Sequence, residues 1–378
     1  MNILIVQGAF FPVPPIKGGG VEKMWFKLAQ EFVRQGHQVV HISKCCAELP
    51  QAGIIEGVSH FRVPGFHATS NRFINNLLDA IYSFRVMRNI PISIDIIVTN
   101  SFWAPIFLGI IKNWVIYIDV ARMPKGQLWL YGRADRLRAN SAAVLGAIQS
   151  ELKVSQYARA ALIPNPLPFK STCAVDLLQK AKIILYCGRV HEEKGLGLLA
   201  EAVRGVNLKA WRIQIVGPWN IEAGGSGQAY KKYLTECFQD TQVDFLGPIY
   251  DEATLGDIYR QAAIFVYPSI AEKGETFGLA PLEAMAWGAA TIVSDLECFK
   301  DFIEHQVNGL VFDHRGIHST ENLLAAIERL TGDDDFRNYL ALNATNVRKS
   351  HSVENIASIF IDDFCRLISA RGGQIGYR

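Results

Sequence analysis

Short apolar runs recur along the whole chain and alternate with segments that have helical periodicity. The runs are 3–6, 39–42, 94–98, 115–118, 161–163, 183–186, 213–216, 243–246, 264–267, 291–293 and 310–312. They lack a strict alternation of apolar and polar positions, which is typical of parallel strands covered on both faces. Residues 21–34 place apolar side chains on one helical face and are followed by Gly36. This order of elements predicts a doubly wound α/β architecture.

A proline-rich segment interrupts the pattern near the middle of the chain. Residues 164–168 read PNPLP, which cannot continue a helix and is disfavoured in a central strand. Residues 352–369 repeat apolar side chains at the spacing of an amphipathic helix. The apolar stripe of this helix is suited to packing on either domain. We therefore expect an N-terminal domain of residues 1–168, a linker of 169–182, a C-terminal domain of 183–351 and a C-terminal helix of 352–378. One arrangement is that this last helix crosses back and packs on the N-terminal domain.

The composition excludes several classes of protein. The 378 residues are 49% hydrophobic and 20% charged, which is ordinary for a globular chain. No apolar run reaches the ~18 residues of a membrane-spanning helix, and the N-terminus reads as a buried strand rather than a signal peptide. The seven cysteines include no CxxC pair, which argues against a disulfide-rich secreted protein and a zinc ribbon. We expect a cytoplasmic protein.

The net charge of +2 conceals an asymmetry between the two halves of the chain. Residues 1–170 contain 18 Lys and Arg against 9 Asp and Glu, whereas the remainder contains 20 against 27. The basic half has no lysine-rich tail and no nucleic-acid reading motif, so no nucleic-acid partner is expected. The excess fits an anionic ligand or an anionic membrane surface, and it also fits ordinary solvated faces.

A glycine-rich loop follows the first predicted strand. Residues 17–22 read KGGGVE, and Gly18, Gly19 and Gly20 precede the first predicted helix. Glycine lets the backbone approach a ligand closely, and the N–H groups at the start of a helix bind phosphate or sugar oxygens. This loop is a candidate ligand contact, although a flexible loop would look the same.

A second loop joins the strand 183–186 to a helix expected to start near Leu196. Residues 188–195 read GRVHEEKG, so that Arg189 and Lys194 are spaced to converge on one diphosphate. The alternative is a pair of solvated cations beside two neighbouring glutamates.

A third segment is the strongest candidate for chemistry. Residues 275–288 read ETFGLAPLEAMAWG. Pro281 suits a first helical turn and Gly288 suits the position after a helix, which predicts a short helix over about 280–287.

Two carboxylates flank the start of this predicted helix. Glu275 lies in the loop before it, and Glu283 lies on its first turns. The free N–H groups at residues 277–280 are expected to face an anion between the two carboxylates. Helix capping would explain one of the glutamates but not both.

Together these motifs resemble the retaining glycosyltransferases of family 4, the glycosyl transferases group 1, which have the GT-B fold. The resemblance extends to residues 162–166, 245–248 and 259–269, and so covers most of the chain. It implies two Rossmann-like domains that face each other across a cleft, with the donor on the C-terminal domain and the acceptor on the N-terminal domain.

The resemblance also implies roles for individual residues in binding a nucleoside diphosphate sugar. Arg189 and Lys194 would hold the diphosphate. Glu283 would bind the ribose hydroxyls, and Glu275 would bind those of the transferred sugar. Fixed cations and N–H groups stabilise the charge of a departing nucleoside diphosphate, so neither a metal nor a cofactor is expected. Further donor contacts are implied for Gly19, Gly20, Gly217, Thr276, Phe277, Gly278 and Leu279.

The chain departs from the family pattern at two places. Relatives carry a histidine just after the strand equivalent to 115–118, where this chain has Asp119. We expect Asp119 to take the catalytic position of that histidine. After Ser294 and Asp295, residues 296–299 replace the usual glycine pair, in a loop that often touches the donor sugar in relatives. The resemblance therefore implies no particular sugar.

The sequence predicts a metal-independent retaining glycosyltransferase of the hexosyltransferase type. It would move a sugar from a UDP- or GDP-linked donor to a glycan or lipid-linked acceptor, in polysaccharide or glycoconjugate biosynthesis. A GT-B nucleotide-sugar epimerase or hydrolase is the alternative among enzymes. A non-catalytic GT-B partner subunit is the alternative outside them.

Basic and aromatic side chains are interleaved over residues 72–138. This mixture suits the surface of an anionic bilayer, which predicts peripheral contact at the inner membrane face. The alternative is that the aromatics are core and the arginines solvate their helix. The residues concerned are Arg72, Phe73, Leu77, Leu78, Ile81, Phe84, Arg85, Arg88, Trp103, Ala104, Arg122, Lys125, Trp129, Tyr131, Arg133, Arg136 and Arg138.

Overall fold

The computed structural model of the chain contains two compact units. The N-terminal unit comprises Met1–Phe169 together with His351–Arg378, and the C-terminal unit comprises Lys170–Ser350. The structure describes residues 1–16, 19–69, 71–91, 93–111, 114–170, 175–204, 206, 208, 210–239 and 241–375. Lys17 and Gly18 of the glycine-rich loop therefore lie outside the described residues.

The N-terminal unit is built on an eight-stranded sheet. Its order is β3-β4-β2-β1-β5-β6-β7-β8, in which β3 is antiparallel to β4 and the other pairs are parallel. The chain order reverses between β1 and β5, so the carboxyl ends of these strands form a switch point of the sheet. The strands are β1 (Asn2–Val6), β2 (Gln38–Lys44), β3 (Ala52–Ile55), β4 (Val58–Val63), β5 (Ile96–Thr99), β6 (Val115–Val120), β7 (Arg136–Ala139) and β8 (Ala160–Leu162).

The helices of this unit cover both faces of the sheet. α1 packs on one face, where Trp25, Leu28 and Phe32 are fully buried. α2, α3 and α4 supply buried residues to the core on the other face. These helices are α1 (Gly20–Arg34), α2 (Arg72–Met87), α3 (Ala104–Leu108) and α4 (Ala142–Glu151).

Three strands of this unit, β3, β4 and β7, have no counterpart among the predicted apolar runs. The hairpin of β3 and β4 turns at Glu56 and Gly57, which both have positive φ, as the tight hairpin turn of this type requires. β7 contains Arg136 and Arg138, so it lacks an apolar run, yet Arg138 is fully buried in a hydrogen-bonded ion pair.

The C-terminal unit is built on a six-stranded parallel sheet with the order β11-β10-β9-β12-β13-β14. The chain order reverses between β9 and β12, which is where sheets of this kind bind ligands. The strands are β9 (Ala181–Cys187), β10 (Arg212–Val216), β11 (Val243–Gly247), β12 (Ala262–Tyr267), β13 (Ala290–Ser294) and β14 (Leu310–Phe312). The helices are α5 (Leu196–Ala202), α6 (Gly227–Cys237), α7 (Glu252–Gln261), α8 (Leu279–Ala286), α9 (Ser319–Gly332), α10 (Asp334–Ala344) and α11 (Val347–Ser350).

The last helix, α12 (Val353–Ile375), returns to the N-terminal unit. The Phe360 ring lies 5.2 Å from the Trp25 ring of α1, centroid to centroid. The Asp363 carboxylate accepts two hydrogen bonds from the Arg136 guanidinium, at 2.6 and 2.9 Å. The apolar stripe of α12 therefore completes the core against α1, and its acid neutralises one of the arginines of β7.

The doubly wound α/β architecture predicted from the sequence is thus confirmed in both units. Within the described parts of the chain, no helix combines the length and the apolar character that crossing a membrane requires.

Candidate functional site

The loops that follow β9 and β12 meet at the carboxyl edge of the C-terminal sheet. Gly195 has a φ of 70°, and a side chain there would overlap the carbonyl oxygen of Pro268. The N–H of Ile270 donates to the carbonyl oxygen of Glu193 at 2.9 Å. Glycine at this position therefore lets the two loops pack together as one structure at the switch point.

A buried ion pair joins the two loops. The Nζ of Lys194 lies 2.7 Å from the Oε2 of Glu275, and only 7% and 11% of the two side chains are exposed. The same Nζ lies 5.7 Å above the centre of the Tyr267 ring. Burial, together with the Glu275 charge, holds the pKa of Tyr267 well above its usual value. Two residues that the sequence singled out from separate motifs thus meet in one site.

Arg189 is held at the rim of this site. Its guanidinium donates to the carbonyl oxygen of Gly224 at 2.8 Å and to the Oε1 of Glu193 at 2.9 Å. The side chain is 43% exposed, so part of this cation faces solvent. In the sequence Glu193 is only a neighbouring charge, and the one signal of its contact with Arg189 is the spacing of four residues.

The N-terminus of α8 lies next to the ion pair. Gly278 precedes the helix with a φ of 90°, and a side chain there would overlap the Phe299 ring. No side chain caps this helix start. The predicted helix is present within one residue of its expected bounds, and Gly288 follows it with a φ of 73°. Because the residue before α8 is a glycine, it offers no side chain to cap the first N–H groups, and such a helix start suits an anion.

Glu283 lies on α8, and 7% of it is exposed. Burial, then the neighbouring Cys187 thiol and Glu283 carboxylate, raise the pKa of Tyr259 well above its usual value. Gly217, which follows β10, has a φ of 142°, and a side chain there would overlap the Gly188 carbonyl oxygen. Close packing of two loops thus explains this glycine.

The C-terminal unit therefore gathers most of the predicted site residues in the loops at one edge of its sheet and on the helix α8 that starts there. They are Arg189, Lys194, Gly217, Glu275, Thr276, Phe277, Gly278, Leu279 and Glu283.

Gly19 and Gly20 lie in the N-terminal unit, at the carboxyl end of its central strand β1. Gly19 precedes α1 with a φ of 106°, and a side chain there would overlap the Glu22 carboxylate. Glu22 is itself buried, and burial raises its pKa. Sequence reasoning assigned Glu22 no role, and its position in the first turn of α1 is also the position of an ordinary capping acid.

Asp119 lies one residue before the end of β6, in a buried network of the N-terminal unit. Its Oδ1 lies 2.7 Å from a guanidinium nitrogen of Arg138, and both side chains are fully buried. Its Oδ2 accepts a hydrogen bond from the Trp25 indole at 2.7 Å. Arg138 also donates to the Oδ1 of Asn165 at 2.7 Å. Both oxygens of Asp119 are thus bound by protein donors, which gives this residue a structural ion pair.

The loop that departs from the family pattern is mostly buried. Leu296, Cys298 and Phe299 are each at most 3% exposed, while Glu297 is exposed and pairs with Lys300 at 2.7 Å. Phe299 fills the space that Gly278 leaves open. Among the described residues, no group of three or more His, Cys, Asp or Glu side chains is arranged to hold a metal ion.

Part of the predicted membrane surface is wrong. Arg138 is fully buried, Arg136 is paired with Asp363, and Tyr131 is only 5% exposed. These three side chains are tied into the interior because they neutralise buried acids or fill the core. Ala104 of that surface is buried as well, at 2% exposed.

Two doubly wound units, with charged loops and an uncapped helix start at the switch point of the second, define a protein of the GT-B class. Residues 174–347 match the family described as "Glycosyl transferases group 1". The match covers slightly less than half of the chain and falls on the C-terminal unit, where the sequence motifs predicted a resemblance to that family.

Comparison with individual proteins also finds similarity to a glycosyltransferase. An uncharacterized glycosyltransferase of Methanocaldococcus jannaschii is 32% identical over 189 residues, which are 49% of this chain and 45% of that relative. The alignment thus spans slightly less than half the length of that curated relative.

Two solved structures share the fold over nearly the whole chain. Sucrose-phosphate synthase of Thermosynechococcus elongatus has a TM-score of 0.79 and 19% identity, covering 98% of this chain and 99% of that one. HepE of Anabaena, in complex with UDP and glucose, has a TM-score of 0.72 and 18% identity, covering 97% and 99%. At such identities the likeness establishes the fold alone.

Proposed function

We propose that the protein is a metal-independent retaining glycosyltransferase. It transfers a hexosyl group from a UDP- or GDP-linked sugar to a hydroxyl of a glycan or lipid-linked acceptor, in polysaccharide or glycoconjugate biosynthesis. The observation that carries this proposal is the meeting of Lys194, Glu275 and the uncapped start of α8 at the switch point of the C-terminal sheet. Retention of configuration rests on the family resemblance.

The geometry suits the departure of a nucleoside diphosphate. Cleavage of the sugar–phosphate bond builds negative charge on the leaving diphosphate, and preorganised cations and N–H groups stabilise that charge. Arg189 offers a planar fork, Lys194 a point charge and the N-terminus of α8 its free N–H groups. These groups supply the stabilisation that a metal ion supplies in other transferases.

The two carboxylates take different roles in this proposal. Glu275 positions Lys194 through the ion pair and binds hydroxyls of the transferred sugar, whereas Glu283 binds the ribose. Backbone groups of Phe277, Gly278 and Leu279, and the adjacent Thr276, contact sugar and phosphate. Gly19, Gly20 and Gly217 stay proposed backbone contacts to the donor, as the resemblance implies. Because both oxygens of Asp119 are bound, we propose that it positions the carboxyl end of β6 through Arg138.

Product formation and donor binding test the proposal together. With each of a panel of UDP- and GDP-sugars, we expect one donor to raise the melting temperature, since ~2.7 kcal/mol of stabilisation accompanies a ligand at 100 times its Kd. Nucleotide release should then require an acceptor, and the product anomer read by NMR should match the donor.

Other results would identify the alternatives. Equal nucleotide release without an acceptor would indicate a hydrolase, and an epimerised sugar nucleotide would indicate an epimerase. No donor-induced shift and no release across the panel would contradict the proposal and favour a non-catalytic subunit.

Glu193 provides a narrower prediction. Glu193→Ala should lower kcat/KM about fivefold, because Arg189 loses the acceptor that orients one arm of its guanidinium, a contact of about 1 kcal/mol. Stability should change by less than about 1 kcal/mol, since the pair is solvent-exposed. Glu193→Gln keeps an acceptor oxygen and should restore most of the activity.

Glu192→Ala, one residue away and exposed, is the matched control and should behave as wild type. Equal kinetics for Glu193→Ala and Glu192→Ala would show that Glu193 has no part in positioning Arg189.

A further inference from the structure

Helix α2 exposes a continuous stripe of large apolar side chains. Phe73 is 79% exposed, Leu77 57% and Phe84 53%, and Ile74 and Ile81 are also exposed. Spacings of three and four residues place these side chains on one face of the helix. Such a stripe, which none of the described residues covers, is an interaction surface rather than a scatter of single exposed residues.

The opposite face of α2 fixes the direction of this stripe. Tyr82 and Val86 are at most 1% exposed and belong to the core beneath the helix. The Asp79 carboxylate accepts hydrogen bonds from the Ser101 hydroxyl at 2.9 Å and from the N–H of Trp103 at 3.1 Å. One face of α2 is therefore packed and hydrogen-bonded against the rest of the N-terminal unit. The apolar stripe lies on the opposite face and is exposed to solvent.

Cations border the stripe at the C-terminal end of α2. The Arg88 guanidinium lies 4.8 Å above the Phe84 ring, and the Arg85 guanidinium lies 5.0 Å above the Phe66 ring. Asp79 is the single acidic residue in the sequence of this helix, and it is buried. The outward surface of α2 is thus apolar and cationic, in the half of the chain that carries the basic excess.

These properties select one kind of occupant. A second copy docked on the same face would bring the arginines of both copies together, which is unfavourable. A glycan would need hydrogen-bonding side chains, which the stripe does not offer. An anionic bilayer satisfies both components, because apolar side chains enter the acyl boundary while arginines meet the headgroups.

We propose that α2 is a membrane-docking helix that inserts Phe73, Leu77 and Phe84 into an anionic bilayer. α2 follows β4, so its first turn lies near the carboxyl edge of the N-terminal sheet, the edge that also carries Gly19. Resting on the proposed function, this placement makes the acceptor lipid-linked, since docking brings that edge of the sheet to the bilayer surface.

Vesicle flotation of the full chain tests the docking helix. Wild type should float with vesicles containing phosphatidylglycerol and far less with pure phosphatidylcholine, and binding should fade as salt is raised. The triple variant Phe73→Ser, Leu77→Ser, Phe84→Ser should partition at least ~tenfold more weakly, because three side chains no longer enter the bilayer. Arg88→Glu should weaken binding to the phosphatidylglycerol-containing vesicles and leave the weak binding to pure phosphatidylcholine unchanged.

Matched controls lie on the C-terminal unit. Leu178, Ile317 and Leu342 are comparably exposed, so replacing all three by Ser should leave flotation unchanged. Lys232→Glu, at a lysine whose side chain is 78% exposed, is the control for Arg88→Glu. Near-UV circular dichroism should be native in every variant, since each change is at the surface.

Three outcomes would overturn the docking helix. They are absence of wild-type binding to anionic vesicles, equal binding by the α2 triple variant and wild type, and a wild-type dimer in sedimentation velocity that the triple variant dissociates. Donor-induced thermal shifts read the proposed function separately: wild type and the triple variant should shift alike. If no donor shifts the melting temperature of either protein while wild type still floats with anionic vesicles, the proposed transferase function is contradicted and the membrane-docking helix is supported.

Discussion

Lys194→Met and Glu275→Gln should each destabilise the wild-type protein strongly. Adding the second substitution to either single variant should cost much less. Each single substitution leaves one partner of a largely buried ion pair uncompensated, which costs about 3 kcal/mol. Removing both partners takes away the unpaired charge. Urea unfolding of the four proteins gives the coupling energy directly as a double-mutant cycle.

Turnover should follow a different rule from stability. Lys194→Met loses a charge-assisted contact to the leaving diphosphate of about 1.5–3 kcal/mol, or roughly 10- to 150-fold in kcat/KM. The double variant should turn over at least as slowly as Lys194→Met although its stability recovers, because the diphosphate still lacks its cation.

Lys273→Met removes an exposed cation from the same loop and is the matched control, with no expected change in stability or turnover. Strictly additive stability losses in the cycle would contradict the ion pair as the link between the two loops. Recovery of activity in the double variant would contradict the role of Lys194 at the diphosphate.

Asp119→Asn should cost about 3–5 kcal/mol of stability, because it leaves the fully buried Arg138 guanidinium without its counter-charge. Arg138→Met should cost a similar amount, and the double variant less than the sum. The comparison pair is Asp257 with Arg260, where roughly half of each side chain is exposed and Asp257→Asn should cost at most about 1 kcal/mol.

The same variant separates a structural role of Asp119 from a catalytic one. We expect the folded fraction of Asp119→Asn to retain turnover within about tenfold of wild type, since both carboxylate oxygens face protein donors. A native unfolding midpoint combined with a turnover reduced by several orders of magnitude would restore Asp119 as a replacement for the family's histidine.

The ion pair between Lys194 and Glu275 was not predictable from the sequence. The motifs around Lys194 and Glu275 were recognisable separately, because each combines glycines and charges at the border of a strand and a helix. Their 2.7 Å ion pair was not, because it depends on β9 lying beside β12, although 81 positions separate the two side chains along the chain. The hydrophobic pattern carries no information about that strand order.

Charged residues misled the prediction in the N-terminal unit for a related reason. Arg136 and Arg138 marked a polar, surface-like segment, whereas they form a buried strand whose charges are met by Asp363 and Asp119. A buried arginine is recognisable only once its partner is known, and Asp363 lies on a helix more than two hundred residues away.

Features that local chemistry controls are predictable from the amino-acid sequence: the alternation of strands and helices, the glycine-bearing loops, and the bounds of α1, α8 and α12 to within a few residues. These follow from periodicity, capping and turn preferences, which act over a few neighbouring residues. Tertiary structure alone decided the strand orders, the partners of Asp119, the return of α12 to α1 and the outward direction of the apolar stripe of α2. Each of those depends on which distant surfaces exclude water together, and burial is a property of the packed molecule rather than of any segment of its chain.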